Sequence, residues 1–186
     1  MNAEAYLADT GPLLCFGLID DGEDLLAEWL ESRLYHVIAV EDELQRLAAQ
    51  DDDMAVREAA ALWQHSWLPD PLVPTAKEAE HTAHHQAVLQ ARSGKTGPKA
   101  DLGEAQTIAV ANVRNYRVMM CDLDAILYAD EQHLVVRTPV DVLRMAVADG
   151  MSHTQAWEHY EVMDHHSFAG EHLAGQLDLD RGWIDI

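Results

Sequence analysis

The sequence predicts an α/β fold with a central, mainly parallel sheet of four to five strands, and three features support this. Short apolar runs of strand length alternate along the chain with longer segments of helical spacing. The long connections favour parallel pairing, because antiparallel neighbours need only short turns between them. Acidic residues follow several of the runs, at the edge where open α/β sheets place their ligands.

Four apolar runs are the predicted strands, at residues 5–8, 36–40, 117–121 and 133–136. The first run ends at Asp9, and Gly11 and Pro12 behind it are strong strand breakers. Acids follow two later runs as well: Glu41, Asp42 and Glu43 after the second, and Asp122 and Asp124 after the third. The carboxyl ends of parallel strands meet at one edge of a sheet, so these acids are expected to lie near one another.

Helical patterns fill the intervals between the strands, at residues 13–19, 24–30, 42–49, 54–67, 76–91, 101–114, 125–130 and 139–149. Thr75 and Thr138 are predicted helix caps, the second followed by a proline in the first helical turn. Residues 92–99 are basic and rich in Gly and Pro, which predicts a mobile loop. We expect a core domain at residues 1–150 and a His-rich helical extension at residues 151–186.

Composition limits the function classes. The chain has 186 residues and a formal charge of −21, so a nucleic-acid role needs a local basic patch or a bound metal to offset the repulsion. No apolar run approaches the ~20 residues of a membrane span, and the N-terminus lacks a secretory pattern. Cys15 and Cys121 match no metal or redox spacing and predict buried thiols. We therefore expect a cytoplasmic protein without a membrane partner.

The acids at the predicted sheet edge are the candidate functional residues: Asp9, Glu43, Glu104 and Asp122, with Asp101 and Asp124 in reserve. Magnesium and manganese take oxygen ligands, and magnesium touches only one or two carboxylates while keeping several waters. Without a cation, several carboxylates within a few Å would repel one another. A converging set of this kind therefore predicts a divalent-metal site.

Structural roles for the same acids stay open at this point, because 33 of the 186 residues are acidic. Asp9 is placed to cap the helix behind Pro12. Asp101 and Glu104 have the spacing of a capping box, and Asp122 or Asp124 is placed to cap the helix that follows them.

Four motifs carry a resemblance to a known family. Tyr6-Leu7-Ala8-Asp9-Thr10, Val40-Glu41-Asp42-Glu43-Leu44, Leu102-Gly103-Glu104-Ala105 and Met120-Cys121-Asp122-Leu123-Asp124 resemble, in this order, the acidic motifs of PIN-domain ribonucleases. That family includes the toxins of VapBC toxin–antitoxin pairs, and the resemblance spans residues 5–148. It implies a three-layer α/β/α fold and an endoribonuclease that depends on Mg²⁺ or Mn²⁺. It further implies an RNA substrate, a small antitoxin partner and a homodimer.

The resemblance also implies roles for individual residues. The catalytic set is Asp9, Glu43, Glu104 and Asp122, and the metal ligands are drawn from Asp9, Asp122, Glu104, Asp101 and Asp124. Asp101 and Glu104 compete for the role of the third motif, whereas Cys121 stands where a Thr or Ser is commoner. The expected substrate contacts are Thr10, Arg92, Lys95 and Lys99. For the loop that carries the three cations, a solvated connector is an equal alternative.

Two other functions remain open beside a ribonuclease. One is a PIN-like protein without activity that serves as a binding or scaffold module, which the charge of −21 favours. The other is a metal-dependent DNA nuclease or phosphohydrolase that uses the same acids.

Two further clusters have structural interpretations. His81 and His85 have the spacing of a shared metal site, but no further ligand completes it, so solvated helix faces are favoured. Trp157, Tyr160 and Met163 lie at helical spacing and are expected to pack on the core or on a partner subunit.

Overall fold

The computed structural model describes residues 5–30, 33–64 and 66–166. In these ranges the strands are β1 (Tyr6–Ala8), β2 (Leu34–Tyr35), β3 (Arg117–Met119) and β4 (Val136–Arg137). The helices are α1 (Thr10–Gly17), α2 (Gly22–Leu30), α3 (Ile38–Gln50), α4 (Met54–Leu62), α5 (Ala76–Ser93), α6 (Leu102–Arg114), α7 (Leu123–Glu131), α8 (Pro139–Ala148) and α9 (His153–His165).

The described strands form one parallel sheet in the order β2-β1-β3-β4. Leu7 in β1 pairs with Tyr35 on one side and with Val118 on the other. Leu7 and Val118 are fully buried, as expected for strands covered on both faces. Helix α6 packs on β1 and β3, and α8 packs on β4, α1 and α2. This arrangement confirms the predicted α/β fold and agrees with a three-layer α/β/α architecture.

The predicted second strand at residues 36–40 is wrong. Strand β2 is the earlier pair Leu34–Tyr35, and α3 already begins at Ile38. Branched apolar residues have only a context-dependent strand preference. Here the buried side chain of Gln106 accepts a hydrogen bond of 3.0 Å from the Ala39 amide, which satisfies one of the otherwise unpaired donors at a helix start. Glu43 therefore lies in the second turn of α3 rather than directly behind a strand.

The other boundaries shift less. The fourth strand was predicted at residues 133–136 but lies at Val136–Arg137, because His133 adopts a left-handed conformation (φ 61°) behind α7. The helix predicted at residues 54–67 ends at Leu62. Both predicted threonine caps are confirmed, since Thr75 and Thr138 each form a reciprocal capping box.

The C-terminal extension begins as predicted with a helix, α9, which packs on α8. Tyr160 and Met163 are buried in the core, and Trp157 stacks on Tyr160 with ring centroids 5.2 Å apart. These contacts confirm the predicted packing of that face, while the rest of the predicted tail, from residue 167 on, lies outside the described residues. In the described ranges, no helix combines the length and apolar character needed to cross a membrane.

Candidate functional site

Asp9 is the most buried acid of the predicted site. It directly follows β1, its backbone amide donates to the Met119 carbonyl of β3 at 3.0 Å, and its side chain is only 5% exposed. Asp9 stands at the N-cap position of α1 but makes no capping hydrogen bond with its side chain. Among the described residues none hydrogen-bonds to its Oδ1 atom. The helix-cap interpretation of Asp9 is therefore wrong, and a buried carboxylate oxygen is left without a partner.

Two further acids lie close enough to Asp9 to act on its protonation. Burial raises the pKa of the Asp9 carboxyl well above its usual value, and the charges of Glu104 and Glu43 raise it further. The pKa of Glu104 is raised as well, first by burial and then by neighbours that include Glu43. The structure thus brings Asp9, Glu43 and Glu104 together, although the sequence places them up to 95 positions apart.

Glu43 is held in place by groups on both sides. The Thr10 hydroxyl donates to Glu43 Oε2 at 2.8 Å, and Arg46 Nη2 donates to Oε1 at 3.4 Å. Thr10 is itself buried. In this structure it positions Glu43, and its contact with a substrate stays a prediction.

Gly103 lets the first turn of α6 approach these acids. A Cβ atom at this position would lie 3.0 Å from Asp9 Oδ1 and 3.6 Å from Glu43 Oε2. The first distance is shorter than side chains normally tolerate. A residue without a side chain therefore keeps the space between the two carboxylates open.

Asp101 is committed to the loop in front of α6. It adopts a left-handed conformation (φ 54°) at the N-cap and makes no capping bond with its side chain, so the capping-box interpretation of Asp101 and Glu104 is wrong. Its carboxylate instead accepts from the Ser93 hydroxyl at 2.8 Å and pairs with Lys95 Nζ at 3.1 Å. Between the two competitors for the third motif, Glu104 is the one whose charge raises the pKa of Asp9.

Asp122 combines a structural position with proximity to the site. Its Oδ1 atom accepts from the Ala125 amide at 3.1 Å, which confirms it as the cap of α7. Its charge also acts on Lys95, as does the charge of Glu104. Asp122 therefore lies on the side of the cluster that Lys95 occupies. Asp124 is in the first turn of α7, and its charge acts on Arg92.

The three predicted cations lie in different environments. Arg92, in the last turn of α5, forms an ion pair with Glu131 and lies over the Tyr128 ring, 4.9 Å from its centroid. Lys95 pairs with Asp101 beside the acids. Lys99 lines a cleft in front of α6. Only Lys95 and Lys99 of the three are thus seen beside the candidate site.

A cleft of about 200 Å³ opens between α3 and the start of α6. Its lining residues are Ala39, Asp42, Glu43, Arg46, Lys99, Leu102 and Gly103. Arg46 was missed from the sequence, although its position three residues after Glu43 places both side chains on one helix face. The cleft has a cation on each wall, and Glu43 and Gly103 connect it to Asp9.

The donor set fits a divalent cation of the magnesium type. Across the described ranges, no three His, Cys, Asp or Glu side chains form a ready-made cage for one ion. Magnesium does not need such a cage, because one or two carboxylates and several waters suffice. The unpartnered Oδ1 of Asp9 and the neighbouring carboxylate of Glu104 supply oxygen donors that repel each other without a cation.

His85 corrects the interpretation of the histidine cluster. It is buried rather than solvated, and its Nδ1 atom shares a 2.7 Å hydrogen bond with the Tyr128 hydroxyl. Burial lowers the pKa of His85 to about 4, and His84 and His81 contribute to the shift. His85 is thus a neutral core residue between α5 and α7.

The cysteines are buried, as predicted, but they are also neighbours in space. A hydrogen bond with Cys15 and burial raise the pKa of the Cys121 thiol well above its ordinary value. The thiol of Cys121 fills the space beside Gly11, where a Cβ atom would lie 2.2 Å from Sγ. The two thiols therefore fill buried space next to Asp122.

Comparisons with known proteins leave the family open. No protein-family model matches the chain, and no curated protein matches it. Among solved structures, the crystal structure of VapBC2 from Rickettsia felis bound to a DNA fragment from their promoter is similar at 16% identity and a TM-score of 0.48. The match covers 72% of this chain and 98% of that chain. A likeness at this level does not identify an activity.

Proposed function

We propose that this protein is an endoribonuclease of the PIN type that hydrolyses RNA with Mg²⁺ or Mn²⁺. The observation that carries the proposal is Asp9: a carboxylate 5% exposed, with an unpartnered oxygen, next to two other acids. A chain gains nothing in stability from burying such a group. A divalent cation would turn this repulsion into attraction.

The burial and contacts of each acid indicate its role in the proposed reaction. Asp9 and Glu104 would hold the cation, because burial raises the pKa of both carboxyls and the charge of Glu104 acts on Asp9. When bound, the cation supplies Lewis acidity that polarises the scissile phosphate and makes water a usable nucleophile near neutral pH. Glu43, fixed by Thr10 and Arg46, orients the attacking water and accepts its proton. Asp122 caps α7 and its charge acts on Lys95, and Asp101 and Asp124 are outer members of the set.

The substrate is an RNA strand that reaches the acids through the cleft in front of α6. Phosphate contacts need Lys or Arg, and the chain carries only 12 of these against 33 acids. Two of the twelve, Arg46 and Lys99, line the cleft. A strand lying there would have cationic partners for the phosphates that flank the scissile one.

An antitoxin partner and a homodimer are proposed from the sequence motifs. A ribonuclease of the toxin type is controlled by a small antitoxin and commonly acts as a homodimer. Both partners are proposed here on the resemblance to PIN-domain toxins alone. Co-expression with a short neighbouring gene product and measurement of the molar mass in solution test these two points.

The nuclease proposal is tested with the full chain and a fluorogenic single-stranded RNA in the presence of Mn²⁺. Asp9→Asn is expected to lower cleavage by at least about 100-fold, because it removes the charge of a cation ligand. Asp52→Asn, an exposed acid between α3 and α4, is the matched control and should leave cleavage unchanged. Chelation with EDTA should abolish wild-type cleavage, and added Mn²⁺ should restore it.

The same assay separates the alternatives. Cleavage of single-stranded DNA or of a phosphomonoester, but not of RNA, would assign a different substrate to the same metal site. Equal inertness of the wild type and Asp9→Asn toward all three substrates, with no binding of Mn²⁺, would overturn the proposal and favour a binding module.

A further inference from the structure

Lys95 places a cation of the chain beside the acids of the proposed site. Its Nζ atom lies 3.1 Å from Asp101 Oδ1, and the charges of Asp122 and Glu104 also act on it. Burial alone would lower the pKa of Lys95, but Asp101 and these two acids outweigh that effect and raise it. The ammonium group is therefore charged; it pairs with Asp101 at the start of α6, and the charge of Asp122 at the start of α7 also acts on it.

The loop that carries Lys95 is fixed to α5 by side chains of that helix. Gln90 donates to the Gly97 carbonyl at 2.8 Å, and Gln86 donates to the Ala100 carbonyl at 2.8 Å. Ser93 connects both ends of the loop, because its hydroxyl donates to Asp101 and accepts from the Lys95 amide at 3.2 Å. The backbone of the loop is anchored, so the long side chain of Lys95 is the part able to change position.

The Lys95 side chain is half exposed (53%), whereas Asp101 is almost completely buried. Lys95 therefore does not fill the interior of the site in the way that a structural ion pair would. It lies at the surface above a deeper set of acids in which Asp9 Oδ1 has no partner within the described residues. Charge compensation by Lys95 is thus partial: it contacts Asp101 and feels the charges of Asp122 and Glu104, but it leaves Asp9 Oδ1 without a partner.

We propose that Lys95 is an internal counter-cation that competes with the divalent metal for the acidic site and turns away when the metal binds. This inference rests on the proposed function, because it needs the acids to bind a cation. Like charges repel each other. An ammonium group close enough to feel the charges of Glu104 and Asp122 therefore weakens the attraction of these carboxylates for a divalent ion. Lys95 thereby tunes the metal affinity of the free protein and keeps it below that of the bare acid cluster.

Calorimetric titration of the metal-free full chain with Mn²⁺ tests the competition without any measurement of activity. Lys95→Gln is expected to bind Mn²⁺ about tenfold more tightly than the wild type, because one positive charge beside the ion is removed. Lys95→Arg keeps the charge and should match the wild type. Lys77→Gln should also match, since Lys77 lies in the first turn of α5, about 24 Å along the helix from Ser93.

A second measurement needs no variant. Saturation of the wild type with Mn²⁺ should raise the rate at which Lys95 reacts with an amine-selective reagent, followed by mass spectrometry, while Lys77 reacts at an unchanged rate. Unchanged or weaker Mn²⁺ binding by Lys95→Gln, or no change in Lys95 reactivity, would overturn the inference and leave the metal site standing. Absence of Mn²⁺ binding in the wild type and all variants would instead remove the proposed function, and this inference with it.

Discussion

Glu78 and Asp9 are both buried acids, but the structure treats them in opposite ways. Glu78 is 1% exposed and accepts from Arg114 Nε at 2.7 Å and Nη2 at 3.0 Å, and from the Thr75 amide at 2.7 Å. The hydrogen bond with Arg114 holds the pKa of Glu78 down at about 2 against the opposing effect of burial. Asp9 has no comparable donor for Oδ1 in the described ranges, and burial raises its pKa.

The difference separates a structural acid from one that awaits a ligand. Glu78 stands at the start of α5 and Arg114 at the end of α6, so their ion pair closes one end of the helix pair. At the other end the described acids outnumber the cations, and Lys95 reduces the excess through its pair with Asp101. Burial alone therefore does not indicate function; the informative feature is burial without compensation.

The largest expected effect is a loss of stability when Glu78, the acid paired with a cation, is replaced. Glu78→Gln should lower the free energy of unfolding by about 3 kcal/mol, because it removes the buried partner of Arg114 and leaves that partly buried guanidinium without an opposite charge. Urea denaturation followed by circular dichroism measures this change. Glu80→Gln, an exposed acid on the same helix, is the control and should stay within about 0.5 kcal/mol of the wild type. Equal losses for the two variants would contradict the contrast.

The acids around Asp9, which lack such a partner, should instead make the protein more stable when a cation binds. Mn²⁺ at 100 times its dissociation constant should raise the free energy of unfolding of the wild type by about 2.7 kcal/mol, provided that the unfolded chain does not bind it. Differential scanning fluorimetry with and without Mn²⁺ gives the corresponding shift in melting temperature. Asp9→Asn should lose most of the shift, whereas Glu78→Gln should keep it. A shift of equal size in Asp9→Asn would place the binding site elsewhere.

The contrast between these acids also shows what the sequence could predict. The parallel sheet and the helix positions followed from apolar periodicity, and the site followed from acids behind β1 and β3. Periodicity predicted the later part of α3 but not its first turn, because residues 37–40 have strand-like composition, and residues 38–40 become helical through contacts such as that of Gln106 with the Ala39 amide. Glu43 was therefore expected directly behind a strand, at the start of a helix, whereas it lies in the second turn of α3, where its charge acts on Asp9.

The sequence could not predict which of the acids are paired with a hydrogen-bond donor. Asp101 and Asp9 both had the position of a helix cap, yet neither caps with its side chain, while Asp122 does. Which acid finds a donor depends on backbone conformation and on partners far along the chain, such as Arg114 for Glu78. Local patterns therefore identified the candidate acids, and only the three-dimensional contacts distinguished the unpartnered ones.

A smaller effect is expected from Asp9→Asn in the metal-free protein. The substitution removes a buried charge and its repulsion with Glu104, so the free energy of unfolding should rise by about 1 kcal/mol. Chemical denaturation in the presence of EDTA measures the change, with Asp52→Asn as the unaffected control. A variant that gains stability while it loses RNA cleavage is the expected sign of an acid kept for binding. Destabilisation by Asp9→Asn would mean that a partner inside the chain stabilises the Asp9 charge.

The smallest effects are changes with pH, and they should have opposite signs for the two acids. The folded-state pKa of Asp9 lies above its ordinary value of 3.8, so Asp9 destabilises the fold at neutral pH and this penalty fades as the pH falls toward 3.8. The folded-state pKa of Glu78 is about 2 against an ordinary 4.5, so its contribution is complete above pH 4.5 and is lost between pH 4.5 and about 2.

Differences between variants isolate these two contributions. The stability gap between Asp9→Asn and the wild type, about 1 kcal/mol at neutral pH, should begin to close at a higher pH than the gap of Glu78→Gln begins to narrow. His85, whose pKa of about 4 makes the fold less stable below pH 6.5, is present in every variant and cancels in the differences. Denaturation curves at half-unit pH intervals from 7 to 3, in EDTA, provide the measurement. An Asp9→Asn gap that stays constant down to pH 4 would show that the carboxyl of Asp9 titrates normally and is not confined among other acids.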